Sequence, residues 1–440
     1  MKNTLLISFS ALSTLILALL IIQWLAPGLL GLPVDLRLVQ VDKKVPPFFE
    51  GVFRREDLAS PNFILQDPFT GVRSKPFYPD ADGWGPNDLL GFRNKAVPTV
   101  ADIIMIGDSQ TYGNNAFLGD NWPQQTMQNL PKQFTHYSMA VGGWSAPQYL
   151  NMFKNANLFR PRVVIVAFYT GNDPLESFMQ SYGSPYWSFL IPDKTLSTDD
   201  VPAFKWSWPP TKSDSTEITF ADGLKQTFTP GVRLKSNIDH PVIHAGYQIL
   251  KNVAAEITRE AISLGVQPVF TIIPTKELVY SRKVKDENIH VSEDYDLLVQ
   301  RESINIADLQ QAILSNTGAR YIDVIGPLQS AALNARPLYP GHGNGHPIAY
   351  GYEVIGLAIA AEVNVMLPHI GEGFVGVQPT ESTVKPYLLR DGILYHFPTR
   401  ELVVENGWQR PDGDLVSERD LATYPKKIVE TIDIKKYGPR

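Results

Sequence analysis

Residues 102–109 read DIIMIGDS, a short apolar run that ends in Gly-Asp-Ser. Two further apolar runs have the same design: residues 162–173 read RVVIVAFYTGND, and residues 267–274 read QPVFTIIP. Continuous apolar runs of this length, bounded by turn residues, are typical of strands that are buried on both faces of a parallel sheet. Ligands of such sheets bind at the carboxyl ends of the strands, so the residues that end these runs are candidates for a functional site.

Amphipathic segments separate the apolar runs. The longest covers residues 242–265 (VIHAGYQILKNVAAEITREAISLG), and others cover residues 304–316 and 351–363. Further strands are expected at residues 134–143 (FTHYSMAVGG) and 320–325 (RYIDVI). Buried strands that alternate with amphipathic helices predict an α/β fold, here a three-layer α/β/α sandwich with a mostly parallel sheet.

Four regions are expected along the 440 residues. In order, they are a transmembrane signal anchor (1–32), an extended lead-in (33–85), the α/β domain (86–370) and an irregular C-terminal extension (371–440). The domain contains an insertion at about 180–238, which is rich in Trp, Pro and Ser. Hairpins are predicted at Asp222-Gly223 in the insertion and at Asp391-Gly392 in the extension.

The N-terminal segment is strongly apolar, with no charged residue from Leu5 to Ala26. Its length matches the ~20 residues that a helix needs to span a bilayer, and Trp24 lies near its end, where an interfacial aromatic residue is expected. A long, cleaved signal peptide is the alternative. Both interpretations export the rest of the chain, so we expect a single-pass protein of the cell membrane with its α/β domain on the periplasmic side.

Composition excludes several classes of function. The formal net charge is −6 and the isoelectric point is near 5.8, so no nucleic-acid partner is expected. Cysteine is absent, which excludes disulfides, thiolate catalysis and cysteine-based zinc sites. The chain has no phosphate-binding or dinucleotide-binding motif, and no cofactor is expected.

Four short blocks lie where predicted strands end or a predicted helix begins. They are Gly107-Asp108-Ser109, Gly143 in AVGGWS, Gly171-Asn172-Asp173 and His346 in NGHPIAYGYEVIG. In this order they resemble the four blocks of the SGNH (GDSL-like) hydrolases. The stretches PNDLLGFRN and IIPTKELVY are also similar to bacterial membrane-anchored SGNH esterases and polysaccharide O-acetyltransferase-like proteins. The resemblance covers about residues 86–365.

This resemblance implies a serine esterase or acyl (acetyl) transferase that acts on an exported glycan or another ester through an acyl-serine intermediate. Ser109 would be the nucleophile, and His346 would take its proton and return it to the leaving group. The oxyanion hole would consist of the backbone N–H groups of Ser109 and Gly143 and the side-chain amide of Asn172. The implied partners are the ester or acylated glycan and the membrane, with no metal.

One position departs from the SGNH pattern. An Asp usually lies two or three residues before the histidine, whereas this chain has Asn344 and Gly343 there. We expect Asn344 to orient His346, because an amide oxygen can accept the imidazole N–H, although it cannot stabilise imidazolium by charge. Asp323, at the end of a predicted strand, is a spatial substitute. The departure also supports the alternative of a non-catalytic SGNH-like scaffold or binding subunit of a membrane assembly.

Each block also has a structural interpretation. Ser109 is a favoured residue type for a helix N-cap, and Asp108 is expected to hold the loop rather than to act as a catalytic acid. Gly143 is compatible with a tight turn alone, and Asn172 with a turn-stabilising amide.

Histidine pairs and aromatic residues offer further alternatives. His240/His244 and His342/His346 both have H-x₃-H spacing, but a proline or a glycine-rich loop interrupts the helix face that zinc pairs normally use, so no metal is predicted. Aromatic residues of the insertion could stack on sugars or simply pack the insertion. These are Tyr186, Trp187, Trp206 and Trp208.

Overall fold

The computed structural model describes residues 60–433, except for 68, 82, 131–133, 204–214, 367–372, 379–384, 391–392, 407–414 and 418–425. In this part of the chain, no helix has the length and apolarity of a membrane span. The predicted anchor (1–32) and the start of the lead-in lie outside the described residues, as do Trp206, Trp208 and the predicted turn at Asp391-Gly392.

Fourteen strands occur in the described ranges. They are β1 (Ile64–Asp67), β2 (Gly71–Ser74), β3 (Ile103–Gly107), β4 (His136–Ala140), β5 (Val163–Tyr169), β6 (Thr216–Thr219), β7 (Lys225–Phe228), β8 (Gln267–Ile273), β9 (Arg320–Ile322), β10 (Gly373–Gln378), β11 (Lys385–Arg390), β12 (Ile393–His396), β13 (Leu415–Ser417) and β14 (Lys426–Ile428).

The central sheet contains β4, β3, β5, β8 and β9, in that order, and each neighbouring pair is parallel. The predicted parallel sheet is therefore confirmed. Its register sets Gly107 beside Ala140 and Tyr169 beside Ile273. Because parallel strands all end at the same edge, the residues that follow β3, β4, β5 and β8 are brought to one side of the molecule.

Eleven α-helices connect and cover the strands among the described residues. They are α1 (Ser109–Tyr112), α2 (Trp122–Gln128), α3 (Ala146–Ala156), α4 (Asp173–Gly183), α5 (Pro230–Leu234), α6 (Pro241–Ser263), α7 (Lys276–Asp286), α8 (Glu293–Ser315), α9 (Ile325–Ala332), α10 (Ala349–Met366) and α11 (Arg400–Glu405).

Two apolar cores lie on the two faces of the central sheet. In β5, Val164 and Val166 belong to the first core, whereas Val163 and Ile165 belong to the second. The first core is closed mainly by α3, α4, α6 and α8, and the second mainly by α2, α7, α9 and α10. Helices therefore cover both faces, as strands that are apolar on both sides require.

The lead-in and the insertion pack on the domain through short antiparallel pairs. β1 and β2 pair in the lead-in, where no strand was expected because four-residue strands are too short to show a period. Trp144 Nε1 donates a hydrogen bond to the carbonyl of Val72 at 2.7 Å, which ties this pair to the domain. In the insertion, β6 and β7 form the hairpin predicted at Asp222-Gly223, and Gly223 has the left-handed φ of 87°.

The C-terminal extension is more regular than predicted. Its described parts form a five-stranded mixed sheet in the order β13-β10-β11-β12-β14. β11 and β12 pair antiparallel on either side of the predicted turn, with Arg390 beside Ile393. Several of these strands have only three or four residues, too few for a clear alternation of apolar and polar positions.

Candidate active site

The loop between β3 and α1 presents Ser109 at the carboxyl edge of the sheet. Asp108 is the N-cap of α1, and its Oδ1 accepts a hydrogen bond from the backbone N–H of Gln110 at 2.8 Å. A Cβ at Gly107 would lie 2.0 Å from Thr111 Oγ1, so this tight passage from strand to helix requires glycine. Ser109 is the first residue of the helix and remains partly accessible.

The loop before α10 brings His346 to Ser109. His346 Nε2 lies 2.8 Å from Ser109 Oγ, and His346 Nδ1 lies 2.8 Å from Asn344 Oδ1. The two residues that the sequence predicted as nucleophile and base are thus in hydrogen-bond contact, and Asn344 occupies the orienting position. Together they have the geometry of a serine–histidine–amide relay.

The orientation of the Asn344 amide follows from its other contacts. Its Oδ1 also accepts the backbone N–H of His346 at 3.0 Å, and its Nδ2 donates to Asn115 Oδ1 at 3.2 Å. Asn115 in turn donates to the carbonyl of His346 at 3.1 Å. An oxygen that already accepts one N–H faces the imidazole, so Nδ1 carries the ring proton and Nε2 keeps a lone pair for the Ser109 hydroxyl.

Burial controls the protonation states of His346 and Asp108. Burial, together with a smaller contribution from repulsion by the Arg233 guanidinium, lowers the pKa of His346 to about 3. The imidazole is therefore neutral near pH 7 and able to accept a proton. Burial also raises the pKa of Asp108 to about 7. Asp108 Oδ2 lies 3.3 Å from Ser109 Oγ, farther than His346 Nε2, so the histidine is the better-placed acceptor of the serine proton.

The other two blocks lie at the ends of neighbouring strands. Gly143 follows β4 with a left-handed φ of 84°, and a Cβ at the adjacent Gly142 would lie 3.6 Å from Ser109 Cβ. Asn172 follows β5 and is the N-cap residue of α4, but its side chain makes no capping hydrogen bond. Its Oδ1 is buried without a partner among the described residues. This amide is therefore not used by the turn that it was alternatively expected to stabilise.

Asp323 does not orient His346, the role for which the sequence offered it as a substitute. Its Oδ1 accepts the backbone N–H of Ile325 at 2.9 Å, and its Oδ2 accepts that of Gly326 at 3.2 Å. It thereby caps the start of α9, while Asn344 occupies Nδ1 of His346. Asp323 is thus a capping residue and not the orienting group.

A buried lysine that sequence reasoning did not single out holds the histidine loop. Lys276 Nζ donates to three backbone carbonyls: Pro340 at 2.8 Å, His342 at 2.9 Å and Thr227 at 3.1 Å. Burial lowers the pKa of Lys276 to about 7. These bonds connect the end of β8, the insertion and the loop of His346. The sequence signal that could have identified Lys276 is the stretch IIPTKELVY, in which this lysine follows an apolar strand.

The stretch PNDLLGFRN supports the loop that carries Ser109. Arg93 is buried and donates five hydrogen bonds to backbone carbonyls, including Gly85 at 2.6 Å and Gly113 at 2.6 Å. Asp88 accepts the Tyr137 hydroxyl at 2.7 Å. Since Gly113 ends α1, these contacts fix the helix that begins with Ser109.

The structure also shows the surroundings of one histidine pair and of two aromatic residues in the insertion. His240 is the N-cap of α6, and His244 Nε2 lies 3.0 Å from Asp239. Across the described ranges, no group of three or more His, Asp or Glu side chains is placed to hold a metal ion. Trp187 is buried and donates through Nε1 to the carbonyl of Phe69 at 2.9 Å, so it packs the insertion, whereas Tyr186 is 43% exposed.

No protein-family model matches the chain, and no curated protein matches it. Among the solved structures that match, a protein of Streptococcus pneumonia named for platelet activating factor is 12% identical with a TM-score of 0.30, covering 60% of this chain and 84% of that one. Two mutants of an acetylxylan esterase from Geobacillus, one titled an acetyl-xylooligosaccharide esterase, are each 10% identical with a TM-score of 0.34, covering 60% and 96%. TM-scores this low carry no information about the chemistry of the site, which depends on the side chains described above.

Proposed function

We propose that this chain is an SGNH-type serine ester hydrolase or acyl transferase with a three-layer α/β/α fold. The observation that supports this most is the pair of 2.8 Å contacts that His346 makes, to Ser109 Oγ on one side and Asn344 Oδ1 on the other. A histidine so placed is neutral, has the correct ring proton and meets the hydroxyl with its basic nitrogen.

The reaction divides into two acyl transfers. In the first, Ser109 Oγ forms a bond to the ester carbonyl carbon while His346 Nε2 takes the hydroxyl proton. The tetrahedral oxyanion then collapses, the bond from carbon to the alcohol oxygen breaks, and His346 returns the proton to the departing alcohol. In the second, the oxygen of water or of a sugar hydroxyl forms a bond to the acyl carbon while its proton goes to His346 Nε2. The bond from that carbon to Ser109 Oγ then breaks, and His346 returns the proton to Oγ, which releases the acid or the new ester and restores Ser109.

The oxyanion requires donors that are fixed before the reaction. We assign this role to the backbone N–H groups of Ser109 and Gly143 and the side-chain amide of Asn172. The support for this is local: Gly142 lies against Ser109, and the Asn172 amide has no described partner within its own turn. The positive end of α4, which begins after Asn172, adds potential of the same sign.

An acetyl ester of an exported glycan is the substrate class we favour. The apolar segment from Leu5 to Ala26 would export the chain and tether it to the membrane, and water or a glycan hydroxyl would complete the turnover. The competing function is a non-catalytic scaffold in a membrane assembly. One observation favours it: the orienting residue Asn344 has no charge to stabilise an imidazolium.

Covalent labelling tests the proposal. The intact chain should react with a fluorophosphonate at Ser109 and hydrolyse short-chain nitrophenyl esters, whereas Ser109→Ala should do neither, because the attacking oxygen is gone. We expect a loss of several orders of magnitude in kcat with an unchanged melting temperature, since the side chain is small and partly accessible. Ser303→Ala, at an exposed position of α8, is the matched control. A chain that resists the label and turns over no ester would be the scaffold.

A further inference from the structure

Arg233 lies against the loop that carries the histidine. It belongs to the short helix α5 at the end of the insertion, and a Cβ at Gly345 would lie 2.6 Å from its Nη2 and 3.2 Å from its Cζ. The same position lies 3.2 Å from the hydroxyl oxygen of Tyr169, and the guanidinium carbon is 5.8 Å from the Tyr169 ring centroid. Guanidinium, tyrosine hydroxyl and the residue before His346 thus meet at one point beside the relay.

Several polar atoms at this point have no hydrogen-bond partner among the described residues. Arg233 Nε is buried without a partner, and no hydrogen bond or ion pair to the guanidinium is found among the described residues. In the same described ranges, the Tyr169 hydroxyl and Gln110 Oε1 are also buried without partners, although Gln110 Nε2 donates to the carbonyl of Gly345 at 3.3 Å. The guanidinium of Arg233 therefore has N–H donors that no described residue uses.

A comparison within the chain shows that this is unusual. Arg93 is also buried, and it directs five hydrogen bonds to carbonyl oxygens. That arrangement is what a guanidinium needs when its function is structural, because a buried donor without an acceptor costs free energy. Within the described part of the chain, Arg233 has no such acceptors, and it lies beside His346, where a bound substrate can supply them.

The charge of Arg233 is maintained by its surroundings. Burial opposes it, but the Tyr169 hydroxyl and the carboxyl groups of Glu277, Glu302 and Asp108 hold the pKa of Arg233 above its ordinary value. The group is therefore a permanent cation. The same carboxyl groups oppose a second negative charge nearby, so a monoanion suits the position better than a dianionic phosphate.

We propose that Arg233 binds a carboxylate on the alcohol part of the substrate, so that the enzyme prefers acyl esters of sugar acids such as uronates. This inference rests on the proposed ester chemistry. His346 returns a proton to the departing alcohol, so side chains beside His346 contact that part of the substrate rather than the acyl group. A planar guanidinium and a carboxylate form two parallel charge-assisted hydrogen bonds.

The preference for a substrate that carries a carboxylate tests the role of Arg233. The kcat/KM of the intact chain should be about ten-fold or more higher for a monoacetylated methyl glucuronide than for the methyl glucoside acetylated at the same position. Arg233→Gln should reduce this ratio to near one, and Arg233→Lys should retain part of it, since lysine keeps the charge but loses the fork. Arg282→Gln, at an exposed arginine of α7, should leave the ratio unchanged. A structural role for Arg233 would lower both activities equally and leave the ratio intact.

A binding measurement separates this inference from the proposed function. Methyl glucuronide without an acetyl group should bind the intact chain more tightly than methyl glucoside in calorimetry, and Arg233→Gln should remove the difference. If Ser109 proves unreactive while this binding persists, the ester chemistry fails and the carboxylate site stands. Equal affinity for the two sugars, or a preference that survives undiminished in Arg233→Gln with a native melting temperature, overturns the inference.

Discussion

Replacing Asn344 by Asp would test how this site operates without an orienting carboxylate. The side-chain oxygen lies 2.8 Å from His346 Nδ1, so an Asp in the same rotamer would place its charge directly against the imidazole. Asp would lose the bond from Asn344 Nδ2 to Asn115 Oδ1, but Asn115 is exposed and can turn its own amide toward the new carboxylate. The substitution should therefore be accommodated without moving the loop.

The magnitude follows from the distance and the dielectric environment. A carboxylate and an imidazolium whose charge centres are about 4 Å apart attract by ~4 kcal/mol at an effective dielectric constant near 20. Since one pKa unit corresponds to about 1.4 kcal/mol, this attraction could raise the pKa of the histidine by about three units. The pKa of His346, lowered to about 3 in the native chain, would return toward the ordinary range of histidine.

Only part of this energy should appear in the rate. Loss of the carboxylate from a serine triad costs about 10⁴ when it also leaves the wrong tautomer. Here Asn344 already fixes the correct tautomer, so Asp contributes charge alone, and we expect acylation to be faster by roughly one to two orders of magnitude. Asn344→Ala should slow acylation, because the ring loses its tether.

The assay combines single-turnover acylation by nitrophenyl acetate with a pH profile of kcat/KM. His346 works as a base when neutral, so native activity should persist down to about pH 3 and be lost below it. In Asn344→Asp, the raised pKa should move this acid limb up toward pH ~6, so activity would be lost at a higher pH. Asn334→Asp adds the same charge at an exposed position and should change neither result. Unchanged acylation together with an unchanged acid limb would refute the reasoning, and melting temperatures separate a loss of stability from a loss of rate.

Two further predictions concern the support of the site. Lys276→Met removes three hydrogen bonds to carbonyls, so it should lower kcat by roughly ten- to a hundred-fold with a smaller change in KM. Lys285→Met, at an exposed position of α7, is the control, and an equal kcat in both variants would contradict a positioning role. Deletion of residues 1–32 should yield a soluble chain with the same kcat/KM for nitrophenyl esters. An insoluble or inactive product would assign the segment to the domain or to an obligate complex, and protease protection in intact cells would report the side of the membrane.

The sequence predicted the parts of the site that lie at strand ends. Ser109, Gly143 and Asn172 each follow an apolar run, and a parallel sheet brings the ends of such runs to one edge whatever the details of packing. Asn344 could be placed beside His346 because the two are separated by one residue. The predicted contact between Ser109 and His346 spans more than half of the chain, and the order of the four blocks was the signal for it.

Other parts of the site could not be predicted from local patterns. Lys276 donates to the backbone carbonyls of Pro340 and His342, whereas Arg233 lies against Gly345 of the same loop. Any residue type can supply the backbone carbonyl that accepts a hydrogen bond from a distant side chain, so the sequence does not reveal such a bond. The sheet of the C-terminal extension was missed for another reason, since its short strands show no period.

Asn344, which is uncharged, and Arg233, whose guanidinium has no hydrogen-bond partner among the described residues, have related effects on His346. Both favour neutral imidazole: the amide offers no negative charge, and the guanidinium repels the positive one. An Asp at position 344 would add an anion beside His346, next in the chain to Gly345, against which Arg233 lies. With Asn there, a carboxylate bound at Arg233 would cancel part of the repulsion felt by His346 and make the imidazolium easier to form. If Arg233 binds a substrate carboxylate as we propose, that carboxylate would supply some of the negative charge that Asn344 lacks, and His346 would become a stronger base when the substrate is bound.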